Sequence, residues 1–210
     1  MSATSITGAR SPVRPDLLEG LTGVPNRITL VRTVVSMLIA AWAFHAHDWR
    51  WLVAGYLAYW VGDMLDGAVA RMRDEETVVG AVLDVICDRA NTLLLAGAFI
   101  AMYDAVTVPL TIFLVQFAVP DTMLTLAFLL WPGVSSPNYF HRVDRPLYRW
   151  NWSKPAKAGN TSAVVLSLVL GLVTGVLWPA YVAATLASAV KLASVVRLLM
   201  ILRGRIPAAP

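Results

Sequence analysis

Long apolar stretches separated by short polar segments restrict what this chain can fold into. A helix needs roughly 20 residues to cross the ~30 Å hydrocarbon core of a bilayer. Six stretches reach or approach that length, at residues 28–46, 50–71, 80–103, 106–131, 161–178 and 180–202. With 58% hydrophobic and 14% charged residues, the chain is too apolar for an ordinary soluble domain. The sequence therefore predicts an all-α polytopic membrane protein with six transmembrane helices.

The six stretches predict one domain over residues 28–203. Residues 1–27 are expected to form an N-terminal segment in the cytoplasm, and residues 204–210 a cytoplasmic tail. Within the first segment, three leucines of residues 16–21 share one side of a helix, which predicts a short interfacial helix: Leu17, Leu18 and Leu21.

Basic residues gather on one side of the six-helix path. They are Arg10, Arg14, Arg27, Arg71, Arg73, Arg142, Arg145, Arg149, Lys154, Lys157, Arg203 and Arg205. Of the three loops on the other side, only the first holds a basic residue, Arg50. The positive-inside rule therefore places both termini in the cytoplasm, and we expect the chain in the cell (inner) membrane. The net charge of +4 then reflects contact with anionic headgroups, and no nucleic-acid partner is expected.

Four aspartates lie in or beside the second and third stretches. They belong to the pattern D-x2-D-G-x2-A-R-x8-G-x3-D-x3-D, formed by Asp63, Asp66, Gly67, Ala70, Arg71, Gly80, Asp84 and Asp88. Ionisable residues at membrane depth are costly and usually mark function. At a rise of 1.5 Å per residue, Asp63 and Asp88 both lie roughly 12 Å from the same membrane face. Because spacings of three and four turn each pair toward one helix face, the four carboxylates are predicted to converge on one cavity.

Clustered carboxylates need counter-charge, and oxygen ligands without nearby Cys or His favour hard cations such as Mg²⁺ or Mn²⁺. Gly67 allows a ligand to approach the backbone, and Arg71, one turn later, can fork onto a phosphate. Gly80 makes space opposite. We interpret the pattern as a site for two metal ions and a diphosphate. The alternative is a ligand-free ion-pair network, which would contribute little stability, among Asp63, Asp66, Arg71, Asp88 and Arg89.

The eight residues of the pattern match the signature of the CDP-alcohol phosphatidyltransferase family, which the chain also resembles in its six-helix layout. The resemblance implies a class I integral membrane enzyme, commonly a homodimer, that takes CDP-diacylglycerol and an alcohol and releases CMP. It further implies that Asp88 is the catalytic general base and lies near the metals. The implied metal ligands are Asp63, Asp66, Asp84 and Asp88. The residues implied to border the CDP moiety are Asp66, Gly67, Arg71 and Gly80.

Weaker signals concern the acceptor alcohol. Five basic residues on the carboxylate side can seat an acceptor phosphate or contact lipid headgroups: Arg142, Arg145, Lys154, Lys157 and Arg197. Residues 25–32 resemble the first-helix entry of phosphatidylglycerophosphate and cardiolipin synthases. This favours a glycerol-type acceptor, either glycerol 3-phosphate or phosphatidylglycerol. Residues 64–67 and 87–89 also resemble phosphatidylinositol phosphate synthases, so inositol phosphate is the alternative acceptor.

A divalent-cation transporter is an alternative from another functional class, since intramembrane carboxylates also line transport paths. Transporters usually distribute ionisable residues across the membrane, often in two related halves. Here the four carboxylates gather near one face and the motif occurs once. The sequence therefore favours a phospholipid-synthesising transferase.

Overall fold

The computed structural model of the chain describes residues 22–210, with residue 158 described by its backbone only. Every regular element in this part of the chain is helical, and no strand occurs among these residues. The all-α prediction is therefore confirmed. The interfacial helix predicted over residues 16–21 lies outside the described residues.

Seven helices organise the described part of the chain. In chain order they are α1 (Val24–Ala46), α2 (Trp49–Met72), α3 (Val78–Met102), α4 (Asp104–Leu130), α5 (Arg145–Asn151), α6 (Ala163–Thr174) and α7 (Trp178–Leu202). Shorter helical turns lie between α4 and α6, at Pro137–Arg142, Lys154–Lys157 and Ala158–Ser162.

The helix starts follow from local sequence. Pro25 lies in the first turn of α1, where its missing N–H costs nothing, so this helix begins about one turn before the predicted boundary. The side chain of Asp48 caps α2 by accepting a hydrogen bond from the backbone N–H of Arg50, at 2.9 Å. Thr77 caps α3 in the same way, accepting from the N–H of Gly80 at 3.0 Å. These caps satisfy N–H groups that have no partner within the helix.

The helix α4 is not regular along its length. A π-helical turn, Phe117–Asp121, interrupts it at Pro120, whose ring nitrogen has no hydrogen to donate to the helical ladder. Gln116 and Asp121 lie beside and within this turn, and both are buried. Because such turns are frequent at functional sites, the interruption draws attention to the polar residues around it.

Three helices of the described part, α1, α4 and α7, are long and apolar enough to cross a membrane. The segments Arg145–Lys157 and Gly159–Thr174, bent by 66° at their junction, pass the same test as a pair and raise the number to four. The helices α2 and α3 are as long, at 24 and 25 residues, but the four aspartates lower their hydropathy. The chain is thus a helical membrane protein, and its six spans stay a prediction.

Small residues allow the long helices to pack closely. The helix α1 packs against α2 and α3, while α7 packs against α4 and α6. A Cβ atom at Gly55 of α2 would lie 3.5 Å from the backbone nitrogen of Ala40 in α1. Close approach of this kind is how helices associate where lipid removes the hydrophobic driving force. In α7, the buried small residues are Ala180, Ala184, Ala187 and Ser194.

A buried carboxylate joins α5 to α7. Asp144, which is 0% exposed, accepts two hydrogen bonds from Arg197 of α7, at 2.9 and 2.8 Å. It also accepts from the backbone N–H groups of Leu147, at 2.9 Å, and Ala209, at 3.1 Å. The N–H of Arg145 donates to the carbonyl oxygen of Ala209 at 2.7 Å. The segment after α7 therefore folds back onto the start of α5.

Replacing Asp144 with Asn should lower the free energy of unfolding by about 2 kcal/mol at neutral pH, because Arg197 would lose its counter-charge. This is less than the ~3–5 kcal/mol of a fully buried pair, since the Arg197 side chain is 24% exposed. Burial acts to raise the pKa of Asp144, but the hydrogen bonds from Arg197, Leu147 and Ala209 outweigh it and lower this pKa below its usual value.

The stabilisation by ionised Asp144 is fully present above its unfolded-state pKa of about 3.9. It is lost as the pH falls through the lower folded-state pKa. Thermal unfolding of the solubilised protein should therefore show the gap between wild type and Asp144→Asn closing on acidification. The exposed Asp104, replaced with Asn, serves as the control and should match wild type. A gap that widens on acidification would contradict the assignment.

Candidate active site

A cavity of about 1010 Å³ lies between α2, α3, α4 and α6. Its lining is polar near the connection between α2 and α3, where Asp63, Asp84 and Asp88 face it. Toward the other end of the bundle the lining becomes apolar, with Leu52, Tyr56, Leu95, Phe99, Phe113 and Leu168. The cavity thus joins an acidic end to a long apolar end.

Three of the predicted aspartates form a compact acidic cluster. One carboxylate oxygen from each of Asp63, Asp66 and Asp84 lies within 4.8 Å of the other two. The side chains of Asp63 and Asp84 are 39% and 42% exposed, whereas that of Asp66 is only 7% exposed. An all-oxygen set of this kind fits a hard divalent cation. Asp63 and Asp66 are three residues apart, which places both on one side of α2. Because α3 starts antiparallel to α2, Asp84 lies opposite them.

An arginine from α1 lies among the same carboxylates. The Nε atom of Arg32 is 2.6 Å from Asp66, and its Nη2 atom is 2.5 Å from Asp84, 3.1 Å from Asp63 and 3.3 Å from Asp88. The Arg32 side chain is only 3% exposed. Sequence reasoning did not assign Arg32 to the site, although an ionisable residue within an apolar stretch was the available signal.

Neighbouring residues fix the position of Arg32. The hydroxyl of Thr29, one turn earlier in α1, donates to Asp66 at 2.7 Å. The guanidinium carbon of Arg32 lies 5.4 Å from the centre of the Tyr59 ring, within the range of a cation–π contact. A Cβ atom at Gly62 would lie only 2.5 Å from the Cβ of Arg32. The approach of α1 to the carboxylates therefore requires glycine at this point of α2.

The residues predicted to border the CDP moiety lie near the connection between α2 and α3. Arg71 is exposed, and its Nη1 atom would be 3.3 Å from a Cβ atom at Gly67. A Cβ atom at Gly80 would lie 2.8 Å from the side-chain oxygen of Asn26 in α1. Asp66, the fourth of this group, is buried against Arg32 and Thr29. Gly80 therefore makes room for α1, a role that the sequence did not reveal.

Of the five basic residues predicted for the acceptor, Lys157 lines the cavity. Its Nζ atom donates to the side chain of Asn138 at 2.8 Å. Arg197 is instead engaged by Asp144, as described above. The remaining three are exposed and lie outside the described lining of the cavity: Arg142, Arg145 and Lys154.

A second charged cluster lines the same cavity. Asp121 of α4 pairs with Arg89 of α3 at 2.6 Å and with Lys191 of α7 at 2.5 Å. Arg89 also donates to Thr125 at 3.3 Å and lies 3.8 Å from the centre of the Phe117 ring. One carboxylate thus faces two cations, so this wall carries excess positive charge. Arg89 forms its ion pair here, and Arg32 is the arginine that bridges the four aspartates.

The described helices enclose an acidic cluster and a cavity, which defines a helical membrane protein with a candidate metal site. The chain belongs to the CDP-alcohol phosphatidyltransferase family, whose model matches residues 22–190. This is a family of phosphotransferases of phospholipid synthesis, so membership favours an enzyme over the transporter alternative.

Curated relatives carry two kinds of name. A phosphatidylinositol phosphate synthase of Mycobacteroides abscessus is 40% identical over 77 residues, covering 35% of this chain and 34% of that protein. Another phosphatidylinositol phosphate synthase, of Mycobacterium marinum, is 31% identical over 134 residues, which cover 62% of this chain and 50% of that protein. A cardiolipin synthase (CMP-forming)/mitochondrial hydrolase fusion protein of Schizosaccharomyces pombe is 26% identical over 164 residues. These cover 77% of this chain and 27% of that protein. The chain therefore spans at most half the length of these relatives. No solved structure matches it.

The close contact at Gly62 gives a test of the packing around Arg32. Gly62→Ala should lower the free energy of unfolding by about 1–3 kcal/mol, because the added methyl group overpacks the contact with α1. Gly97→Ala is the matched control, since a Cβ atom there would meet nothing within 4 Å. That change should be neutral or stabilise α3 by up to about 1 kcal/mol. Equal effects of the two changes in thermal unfolding would contradict the assigned packing.

Proposed function

We propose that this chain transfers a phosphatidyl group from CDP-diacylglycerol to an alcohol acceptor in a metal-dependent reaction that releases CMP. The observation that carries the proposal is the acidic cluster of Asp63, Asp66 and Asp84, whose oxygens lie within 4.8 Å of one another. Two of these aspartates and Asp88 face a cavity that extends into the apolar bundle. Family membership supplies the class of reaction.

We propose that the four aspartates hold a pair of Mg²⁺ or Mn²⁺ ions, because the oxygens of Asp63, Asp66 and Asp84 form a cluster that suits a hard cation. Within residues 22–210, Arg32 is the one cation that contacts all four carboxylates, so further positive charge is needed to balance them. Ions held there would supply positive charge to neutralise the diphosphate and to stabilise charge on the departing CMP. The proposed ligands are Asp63, Asp66, Asp84 and Asp88.

Asp88 is the proposed general base. Its side chain faces the cavity and is 26% exposed, so an acceptor hydroxyl can reach it. Asp88 takes the proton of this hydroxyl as the acceptor oxygen forms its bond to the phosphorus of the lipid phosphate. The bond between that phosphorus and the oxygen of the CMP phosphate breaks, and CMP leaves with the bonding electrons. The direct displacement needs no protein nucleophile.

The remaining signature residues have proposed roles in binding CDP. Gly67 lets the nucleotide approach the backbone of α2, and Arg71 offers its guanidinium to a phosphate. Gly80 limits the bulk at the start of α3. Asp66 borders the same region from its buried position beside Arg32. The apolar end of the cavity suits the acyl chains of the lipid, because it keeps them out of water.

The acceptor is proposed to carry a phosphate. Lys157 and the cluster of Arg89, Lys191 and Asp121 line the cavity beside the acidic end, and the cations outnumber the carboxylate. Glycerol 3-phosphate and phosphatidylglycerol are the preferred acceptors, on the resemblance of residues 25–32. Inositol phosphate is the second candidate, supported by the names of relatives such as that of Mycobacteroides abscessus. Further basic residues proposed to attract the acceptor are Arg142, Arg145, Lys154 and Arg197.

The proposed setting is the inner membrane, with six spans formed by α1, α2, α3, α4, α7 and the predicted stretch 161–178, which contains α6. The carboxylates and both termini then face the cytoplasm, as the distribution of basic residues favours. The 24 and 25 residues of α2 and α3 are long enough for a bilayer, and the paired charges between the helices offset the cost of burial. A homodimer is proposed by resemblance to the family.

Asp88→Asn tests the reaction. The amide cannot accept the hydroxyl proton, so release of CMP from CDP-diacylglycerol should fall by about 10²–10⁴-fold. CMP release from the purified protein in mixed micelles, measured with Mg²⁺ or Mn²⁺, checks this. Chelation should abolish wild-type turnover, and added metal should restore it. Asp104→Asn is the control, because Asp104 is exposed and is not among the described residues that line the cavity. Full activity of Asp88→Asn would exclude the proposed base.

A panel of acceptors tests the substrate. Purified protein would receive CDP-diacylglycerol with glycerol 3-phosphate, phosphatidylglycerol, inositol phosphate, inositol or serine in turn. We expect turnover only with a phosphate-bearing acceptor. Lys157→Gln should then raise the KM for that acceptor by roughly tenfold, because it removes one charge-assisted contact. Turnover with inositol or serine alone would contradict the phosphate requirement while leaving the reaction class intact.

A further inference from the structure

The Nη2 atom of Arg32 lies at the point where three carboxylates meet. It is 2.5 Å from Asp84, 3.1 Å from Asp63 and 3.3 Å from Asp88. An Nη atom carries two hydrogens, so it cannot make a full hydrogen bond to each of three carboxylates. Several carboxylate oxygens around one positively charged atom resemble the ligands around a metal ion.

The other terminal nitrogen of Arg32, Nη1, has fewer contacts with hydrogen-bond acceptors. Nη1 is buried and contacts no hydrogen-bond acceptor among the described residues. A buried donor without a partner costs about 1–3 kcal/mol. The position of the guanidinium therefore reflects attraction to the four carboxylates, since one of its two terminal nitrogens makes no hydrogen bond among the described residues.

Asp66 differs from the other three aspartates. Its Oδ2 atom accepts both the bond from Arg32 Nε, at 2.6 Å, and the bond from Thr29, at 2.7 Å. Both bonds use the same oxygen, so Asp66 can present Oδ1 to an ion while Oδ2 still holds Arg32. The Nε contact can therefore persist when the contacts of Nη2 change.

We propose that Arg32 is a built-in counter-cation that holds the four aspartates together without metal and competes with a divalent cation for them. The inference rests on the metal site of the proposed function. Binding of an ion displaces Nη2 from Asp63, Asp84 and Asp88, while Nε stays on Asp66. By competing for the carboxylates, Arg32 lowers the affinity of the site for the ion. Without the ion, its positive charge offsets the repulsion among the four aspartates. Arg32 is thus a positioning residue for the metal ligands.

Mn²⁺ binding to the purified full-length chain, without nucleotide, tests the competition. Electron paramagnetic resonance titration reports free Mn²⁺ directly. Arg32→Gln should bind Mn²⁺ about tenfold more tightly than wild type or better, because a unit charge within 4 Å of the ligands is removed. Arg32→Lys keeps the charge but cannot reach Asp66 and the other carboxylates at once. Arg32→Lys should bind Mn²⁺ about threefold more tightly than wild type. It replaces Arg32→Gln as the test variant if Arg32→Gln does not fold.

Arg89→Gln is the matched control for charge. It removes a nearby guanidinium that pairs with Asp121. Its Mn²⁺ affinity should change by less than about threefold, because it does not bridge the acidic cluster. Thermal unfolding gives a second readout, since saturating Mn²⁺ should raise the Tm of Arg32→Gln more than that of wild type.

The outcomes separate this inference from the proposed function. Wild-type binding of Mn²⁺ with unchanged or weaker binding in both Arg32 variants overturns the competition and leaves the metal site intact. Tightening in Arg89→Gln equal to that in Arg32→Gln also overturns it, because the effect is then one of general charge. Absence of Mn²⁺ binding in every protein, with or without CDP, overturns the proposed metal site together with this inference.

Discussion

One buried ionic contact governs the geometry of this site. Four carboxylates within an apolar bundle repel one another and lose hydration, so opposite charge has to be available inside the bundle. Arg32 brings it from α1 and lies within 3.3 Å of all four. The same contact needs the absence of a side chain at Gly62, where a Cβ atom would lie 2.5 Å from Arg32. The close packing of α1 on α2 at Gly62 is therefore what allows Arg32 to reach the carboxylates and balance their charge.

The same rule organises the rest of the described bundle. Asp121 meets Arg89 and Lys191 on the cavity wall, and Asp144 meets Arg197 between α5 and α7. The cavity consequently has an acidic end and, beside it, a wall with excess positive charge. This asymmetry suits the proposed reaction, in which metal ions and a diphosphate occupy the acidic end while an acceptor phosphate lies against the cations.

Much of the site could be predicted from helical periodicity. The spacings of three and four predicted that Asp63 with Asp66 and Asp84 with Asp88 face each other across two helices. The structure brings oxygens of Asp63, Asp66 and Asp84 within 4.8 Å of one another. Hydrophobicity located the long helices but not the π-helical turn at Pro120, since its form depends on how neighbouring groups satisfy the backbone. The predicted topology assigned a side of the helical path to the basic residues, but topology does not assign their partners. Arg197 pairs with Asp144, 53 residues away.

The sequence by itself determined the all-helical membrane architecture, the acidic motif and its resemblance to a family, because each depends on composition or on spacing along one or two neighbouring helices. Only the tertiary structure decided which cation meets the acids. Arg32 precedes Asp66 by 34 residues and Asp88 by 56, and no local pattern links them. Their contact depends on how closely two helices approach, which is set by side-chain volume at particular points of the interface. That closeness exists only once the chain has folded.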